Sequence, residues 1–220
     1  MIEAMNQLFS KRCEAVVIAH IFYEDLIDSL FDSYLSAVQD KCDLIVTVMQ
    51  DVSVASLQKI KAKFNNCFII QTTNRGRDIR PFVVAFRKAN ELGYLIACKV
   101  HTKKSLQLST GDKWRSQLFD SLLPNPAFPA SVLQRFNKFP SLGLLVPDCA
   151  LHDLSDPAAH LNNTKWLDKL LTRMVSRDMI DTYKFFFPAG SMYWFKLAAF
   201  AQLLDDDFAS LDEFELEAGQ

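Results

Sequence analysis

The sequence has 220 residues, half of them apolar, and its 26 acidic and 24 basic side chains leave a net charge of -2. This composition fits one globular domain with a full core, and it argues against disorder and against a general nucleic-acid binder. No apolar run reaches the roughly 18 residues of a membrane-spanning helix, so we expect a cytoplasmic protein. The five cysteines are widely spaced and form no C-x-x-C pair, which favours reduced core thiols over disulfides or a zinc site.

Strand and helix patterns alternate through the first half of the chain. β-rich runs predict strands at residues 15–21, 44–49 and 67–71 and a fourth strand from residue 94. Apolar residues at helical spacing predict helices at 24–38, at 54–64 and from residue 79. Three βα units that lead into a fourth strand predict an α/β fold with a Rossmann-type, mostly parallel sheet and helices on both faces.

The second half is less regular. It predicts helices at 113–123, 130–136, 163–175 and 197–204, strands at 142–146, 185–187 and 192–195, and a long surface loop at 148–163. There is no internal repeat and no Gly/Ser linker, so we expect a single domain over residues 1–220.

Two polar segments follow predicted strands. The fourth strand runs into K-V-H-T-K-K-S at residues 99–105, and the third runs into T-T-N-R-G-R-D-I at 72–79. Ligands of open α/β sheets bind beyond the carboxyl ends of the strands, where lysine, arginine and histidine suit a phosphate. Gly76 permits a positive φ before a helix start, which would offer free N–H groups to an anion. Alternatively, Asp78 only caps the helix and both arginines are solvated. Together, the two segments predict a crevice whose cations hold a diphosphate.

These segments belong to a wider set of motifs. The set comprises His20, N-R-G-R-D (74–78), K-V-H-T-K-K-S (99–105), Trp114-Arg115, A-G-S-M-Y-W (189–194) and E-A-G-Q (217–220). In combination they resemble the rhamnan synthesis protein F family of bacterial glycosyltransferases, which act in cell-surface polysaccharide and lipopolysaccharide assembly. The D-G-T segment that the family carries after E-x-G-Q is absent here, so we expect the chain to be truncated at its carboxyl end.

The resemblance implies inverting transfer of L-rhamnose from dTDP-L-rhamnose to a polysaccharide or lipid-linked oligosaccharide at the inner face of the cytoplasmic membrane. It also implies a GT-A-like fold, with a nucleotide-binding half at 1–105 and an acceptor-binding half at 106–220. Many GT-A enzymes hold a metal with an Asp-x-Asp motif, but His101-Thr102-Lys103 stands at that place. Because a hard metal needs carboxylate oxygens, we expect donor binding without a metal or other cofactor.

The two polar segments and the resemblance together assign roles to individual residues. Glu217 is the expected catalytic base and Asp78 the second choice. The expected donor-binding residues are His20, Asp51, Asn74, Arg75, Gly76, Arg77, Lys99, His101, Thr102, Lys103, Lys104 and Ser105. The expected acceptor-binding residues are Trp114, Arg115, Gly190, Ser191, Tyr193, Trp194 and Gln220.

Each role has a structural alternative. Glu217 lies in an acidic tract and could be solvated, His20 could be a hydrogen-bonded core residue, and Asp51 could simply end its strand. Trp114, Tyr193 and Trp194 could be core packing. The alternative function is a non-catalytic module that binds a nucleotide-sugar or glycan. A phosphatase is disfavoured because the sequence has no C-x5-R loop and no paired Asp motif.

Overall fold

The computed structural model describes residues 1–102, 104, 111–153 and 186–205. The strands of this part are β1 (Ala15–Ile21), β2 (Cys42–Met49), β3 (Cys67–Thr72), β4 (Ile96–His101), β5 (Leu144–Leu145), β6 (Leu151–Asp153), β7 (Phe186–Pro188) and β8 (Tyr193–Lys196). The α-helices are α1 (Ile2–Asn6), α2 (Ile27–Leu30), α3 (Val54–Lys63), α4 (Ile79–Glu91), α5 (Gly111–Leu122) and α6 (Phe128–Lys138).

Within the described residues, six strands form a mixed sheet in the order β3-β2-β1-β4-β8-β5. The first four are parallel to one another, while β8 is antiparallel to both β4 and β5. All seven residues of β1 and all six of β4 are buried, as expected for parallel strands that are covered on both faces. The predicted Rossmann-like α/β fold with a mostly parallel sheet is therefore confirmed.

The order of the strands creates a switch point in the sheet. From β1 the chain moves outward through β2 and β3, and then returns to place β4 on the other side of β1. The carboxyl ends of β1 and β4 flank this switch point, which is where ligands of open α/β sheets usually bind, and we call this edge of the sheet the crevice.

Two predicted elements differ from the structure. The helix expected at 24–38 is a succession of short helical turns: 3-10 turns at Glu24–Leu26 and Ser36–Val38, α2, and a π segment at Phe31–Leu35. Its buried residues Ile27, Leu30, Phe31 and Leu35 keep the helical spacing, which is why the sequence predicted one helix. The loop expected from residue 148 begins with a 3-10 turn and then β6, which pairs with β7.

Helices cover the sheet with two separate apolar layers. One layer includes Phe31, Leu57 and Trp194, and the other packs Phe82, Phe86 and Phe195 of α4 and β8 against β1 and β2. Ser53 caps α3, because its side chain accepts a hydrogen bond from the Ser56 N–H. In the part of the chain that the structure describes, no helix combines the length and the apolar character needed to cross a bilayer.

Candidate functional site

The crevice at the carboxyl edge of the sheet begins with two histidines on neighbouring strands. His20 is the penultimate residue of β1 and is the register partner of His101, the last residue of β4. Their exposed fractions are only 5% and 7%, so both rings lie beneath the crevice surface. Burial lowers the pKa of His20 to about 4, and its Nδ1 shares a hydrogen bond of 2.9 Å with Thr47 Oγ1. His20 is therefore a neutral polar group at pH 7.

Lys99 joins three parts of the fold below this surface. Its ammonium donates to Asp78 Oδ2 at 2.5 Å, to the Ser191 carbonyl at 2.7 Å and to Ser191 Oγ at 2.6 Å. An ammonium has three protons, and three acceptors therefore use all of them. The side chain is 2% exposed. Lys99 was predicted to contact the diphosphate, but in this arrangement it holds the start of α4 and the turn before β8 against β4.

Asp78 is the carboxylate at the centre of this link. Besides Lys99, it faces His101, whose Nδ1 lies 3.8 Å from Asp78 Oδ2. Burial would raise the pKa of Asp78, but the neighbouring charges of His101 and Lys99 and the Lys99 hydrogen bond outweigh burial and lower it below the ordinary value. Burial lowers the pKa of Lys99, and Asp78 opposes that shift. Asp78 and Lys99 therefore form an ion pair in which the carboxylate neutralises the positive charge of the ammonium.

The loop between β3 and α4 carries Asp78 across the sheet edge to β4. Gly76 has φ 66° and Arg77 has φ 51°, and the Gly76 carbonyl accepts hydrogen bonds from the N–H groups of Ile79 and Arg80. Asp78 makes no capping hydrogen bond to α4, so the alternative that it only caps this helix is wrong. Arg75 is half-buried and Arg77 is exposed. The two polar segments predicted from the sequence therefore do meet, and the Asp78 carboxylate joins them by binding Lys99.

The loop after β4 is tied to the loop after β1. Thr102 Oγ1 accepts hydrogen bonds from the N–H groups of Phe22 and Tyr23, and the Thr102 N–H donates to the His20 carbonyl. Lys104 pairs with Asp25 at 2.6 Å and lies over the Tyr23 ring at 4.8 Å. Thr102 thus shapes the crevice, and the charge of Lys104 is offset by a carboxylate from the facing loop.

A cavity of about 170 Å³ opens at the ends of β1, β2 and β3. It is lined by Ile21, Phe22, Glu24, Met49, Asp51, Val52 and Asn74, which include two predicted donor residues. The Phe22 ring is 37% exposed, and the Asp51 side chain is also exposed. Glu24 is held by Ser53, whose hydroxyl donates to Glu24 Oε2 at 2.6 Å. The cavity joins an apolar ring, two carboxylates and an amide, which suits one polar ring of a ligand.

The predicted acceptor residues fall into two groups. Trp194 is 1% exposed and its indole N–H donates to the Leu122 carbonyl at 2.8 Å, while Tyr193 is 6% exposed and stacks on Phe200 at 5.7 Å. In this structure the Trp194 and Tyr193 rings pack in the core, and neither offers a free face to a sugar.

The second group lies nearer the surface. Arg115 lines a cavity of about 100 Å³ together with Tyr34 and Thr102, and it pairs with Asp112 at 3.2 Å. Gly190 has φ 85°, and a Cβ placed there would lie 3.4 Å from Trp114 Cζ2. Trp114, Gly190 and Ser191 therefore lie together next to the Lys99 link.

Four predicted site residues lie outside the described residues: Lys103, Ser105, Glu217 and Gln220. Among the residues that are described, no group of three histidine, cysteine, aspartate or glutamate side chains is placed to hold a metal ion.

Sequence reasoning missed Arg80, which is 7% exposed and donates from Nη1 to Thr73 Oγ1 at 2.7 Å. A charged residue in the first turn of a helix is normally solvated, so no sequence pattern indicated that Arg80 is buried. The only available signal was its position two residues after N-R-G-R-D.

Comparison with known proteins agrees with the motifs. A model of the rhamnan synthesis protein F family matches residues 1–218. Two proteins described as "Uncharacterized protein WxcX", from two strains of Xanthomonas campestris pv. campestris, are each 30% identical to the chain over 206 residues. The match covers 94% of this chain and 29% of each relative, so the chain spans less than a third of their length. The chain belongs to the rhamnan synthesis protein F family.

Proposed function

We propose that the protein is a glycosyltransferase that moves L-rhamnose from a nucleotide-diphosphate donor, dTDP-L-rhamnose, to a polysaccharide or lipid-linked oligosaccharide. The observation that carries the proposal is the crevice at the switch point, where the loops after β1, β3 and β4 meet through Asp78, Lys99 and Thr102. Ligands of open α/β sheets bind at this place. The family supplies the chemical context, and a GT-A-like organisation would put the donor in this crevice.

The cavity at the ends of β1 and β2 is the proposed seat of the pyrimidine. The Phe22 ring offers an apolar face, the Asp51 carboxylate can accept a hydrogen bond from the ring N3–H, and the Asn74 amide can donate to a ring carbonyl. A volume of about 170 Å³ suits one ring rather than a whole nucleotide-sugar. The diphosphate would then lie over the 73–78 loop, towards β4.

Donor binding is proposed to be independent of metal. Arginine side chains and helix N–H groups can neutralise a diphosphate directly, whereas Mg²⁺ is usually bound through one or two carboxylates. Arg75 and Arg77 lie on the loop that precedes α4, so their charges and the amino terminus of this helix favour the same anion. Complete loss of activity in EDTA, restored by Mg²⁺ or Mn²⁺, would contradict this part of the proposal.

Glu217 is the proposed catalytic base for an inverting transfer, and it lies outside the described residues. Asp78 suits the role less well, because a general base works best with a pKa near the operating pH and the pKa of Asp78 is lowered. Its ion pair with Lys99 also occupies one carboxylate oxygen. We therefore assign Asp78 a positioning role at the crevice. The acceptor would enter beside Trp114, Arg115 and Gly190, with the protein working in the cytoplasm at the inner face of the membrane.

A nucleotide panel tests the donor assignment. Thermal shift with dTDP, UDP, GDP and dTDP-L-rhamnose should show stabilisation by the thymidine nucleotides, and incubation with dTDP-L-rhamnose should release dTDP by hydrolysis or transfer. Asp51→Ala should weaken dTDP binding by about tenfold because a hydrogen bond to a charged group is lost. Asp148→Ala is the matched control, since Asp148 is also exposed but follows β5. No stabilisation by any nucleotide would contradict the proposal.

One observation favours the alternative of a binding module. Within the described residues, the crevice carboxylate Asp78 is engaged by Lys99, and its lowered pKa makes it a weak base. Stabilisation by dTDP-L-rhamnose without any release of dTDP would support the module over the enzyme.

A further inference from the structure

Among the described residues, Arg80 is a buried cation that has no carboxylate partner. It lies in the first turn of α4 and is 7% exposed. Within the described part of the chain, its guanidinium donates from Nη1 to Thr73 Oγ1, and its Nε has no hydrogen-bond partner. Buried charges are normally paired, since an unpaired charge away from water is costly. Arg80 thus departs from this rule, whereas Lys99 follows it through its ion pair with Asp78.

The surroundings of Arg80 add to its uncompensated positive charge. Burial lowers the pKa of Arg80, and the positive charge of Arg75 lowers it further. The nearest carboxylate on the same loop, Asp78, is directed to Lys99 and His101 instead. A second cation therefore lies close to a buried guanidinium where a protein built only for stability would place an acidic side chain.

The backbone around Arg80 favours an anion at the same place. The contact with Thr73 brings the guanidinium to the carboxyl end of β3, beside the loop that begins α4. The amino terminus of this 13-residue helix carries a partial positive charge. Asp78 does not neutralise it with a capping hydrogen bond. The charge of the guanidinium and the dipole of the helix therefore act in the same direction.

We propose that Arg80 is an anion-binding residue of the crevice, and that its guanidinium receives a phosphate group at the carboxyl end of β3. The assignment to the donor diphosphate rests on the proposed function, while the anion site itself does not. A planar guanidinium suits two phosphate oxygens at once, and Arg80 already has one nitrogen fixed by Thr73. Arg80 replaces Lys99 as the deep cation of the site, because the three protons of Lys99 are already used.

Isothermal titration calorimetry with pyrophosphate, at fixed ionic strength and in EDTA, tests the anion site. Arg80→Met keeps much of the apolar stem but removes the charge and the fork, and it should weaken pyrophosphate binding by about 10- to 100-fold. Arg80→Lys keeps the charge without the fork and should give an intermediate affinity. Arg135→Met is the matched control, since Arg135 is an exposed arginine on α6. It should bind pyrophosphate like the unmodified protein.

Thermal unfolding without ligand separates a binding role from a structural one. A buried charge without a carboxylate contributes little to the native state, so the midpoint of Arg80→Met should equal or exceed that of the unmodified protein. A lower midpoint together with unchanged pyrophosphate affinity would overturn the proposal. If Arg80→Met does not fold, Arg80→Lys carries the test, and unchanged affinity in that variant would overturn the proposal as well.

Parallel titrations with inorganic phosphate and dTDP distinguish the source of the anion from the failure of the proposed function. Binding of dTDP that depends on Arg80 and is much tighter than that of phosphate supports a nucleotide donor. If phosphate binds as tightly as dTDP and its binding depends on Arg80, the anion site is supported but its assignment to the donor is overturned. Arg80-dependent pyrophosphate binding without any reaction of dTDP-L-rhamnose would leave the anion site intact and contradict the enzyme. Tight dTDP binding that is unchanged in Arg80→Met would agree with a nucleotide donor and contradict the anion site at Arg80.

Discussion

Removing the carboxylate of Asp78 should destabilise the fold more than removing its partner Lys99. The Lys99 side chain is 2% exposed and that of Asp78 is 21% exposed. Asp78→Asn leaves a fully buried ammonium without its counter-charge, which costs about 3–5 kcal/mol. Lys99→Met leaves a carboxylate that still faces His101 and some water, so its cost should be nearer about 1–3 kcal/mol. Against a typical domain stability of about 5–15 kcal/mol, both changes are readily measured.

The double variant Asp78→Asn/Lys99→Met removes both charges and should be more stable than Asp78→Asn alone. The expected coupling energy is about 2–3 kcal/mol, because neither charge is left uncompensated. Urea unfolding followed by circular dichroism supplies the four free energies of the cycle. Asp25→Asn is the control, since it breaks the exposed Lys104 pair and should cost less than about 1 kcal/mol. Single-variant costs that add within about 0.5 kcal/mol would mean that Asp78 and Lys99 are not coupled.

Three further predictions concern other parts of the fold. The pKa of His20 is lowered from its ordinary value to about 4, so neutral His20 stabilises the fold fully above about pH 6.5 and this stability is lost as pH falls towards 4. His20→Gln should flatten the stability profile over that interval by up to about 3 kcal/mol, and an unchanged slope would contradict the shift. Tyr94→Phe removes the hydroxyl that donates to buried Asp43 at 2.5 Å and should lower the free energy of unfolding by about 1.5–3 kcal/mol; a smaller loss in urea would mean that the contact is weak. Gly190→Ala and Gly93→Ala both place a side chain at positive φ, which costs about 1–2 kcal/mol, but the Cβ at 190 would also lie 3.0 Å from a side-chain carbon. Gly190→Ala should therefore have a lower unfolding midpoint than Gly93→Ala. Equal midpoints would show that the turn at residue 190 shifts to accommodate the added Cβ.

The first half of the fold could be predicted from the sequence because each element has its own apolar pattern. The runs at 15–21 and 67–71 end within one residue of β1 and β3, and the helix expected from residue 79 begins at Ile79. Burial on both faces produces unbroken apolar strands, and this signal is local in sequence. The irregular turns at 24–38 kept the helical period of their apolar residues, so the pattern could not reveal the changes of helix type.

The candidate site could be predicted less completely, because its geometry depends on contacts between distant residues. Sequence reasoning placed the polar segments at the carboxyl edge, and Asp78 and Lys99 do meet there across 21 positions of sequence. The sequence predicted that Lys99 would be available to a ligand. Its acceptors Asp78 and Ser191 could not be foreseen, because Ser191 reaches Lys99 only when β8 pairs with β4. Arg80 was missed for the opposite reason: only the fold reveals that its charge is buried.

The proposed function requires that the crevice bind a nucleoside diphosphate through protein cations rather than a metal. Titration of dTDP into the protein by calorimetry, first in EDTA and then in Mg²⁺, measures this. We expect saturable one-to-one binding with the same affinity in both conditions. Binding that occurs only with Mg²⁺, or no binding in either condition, would contradict it.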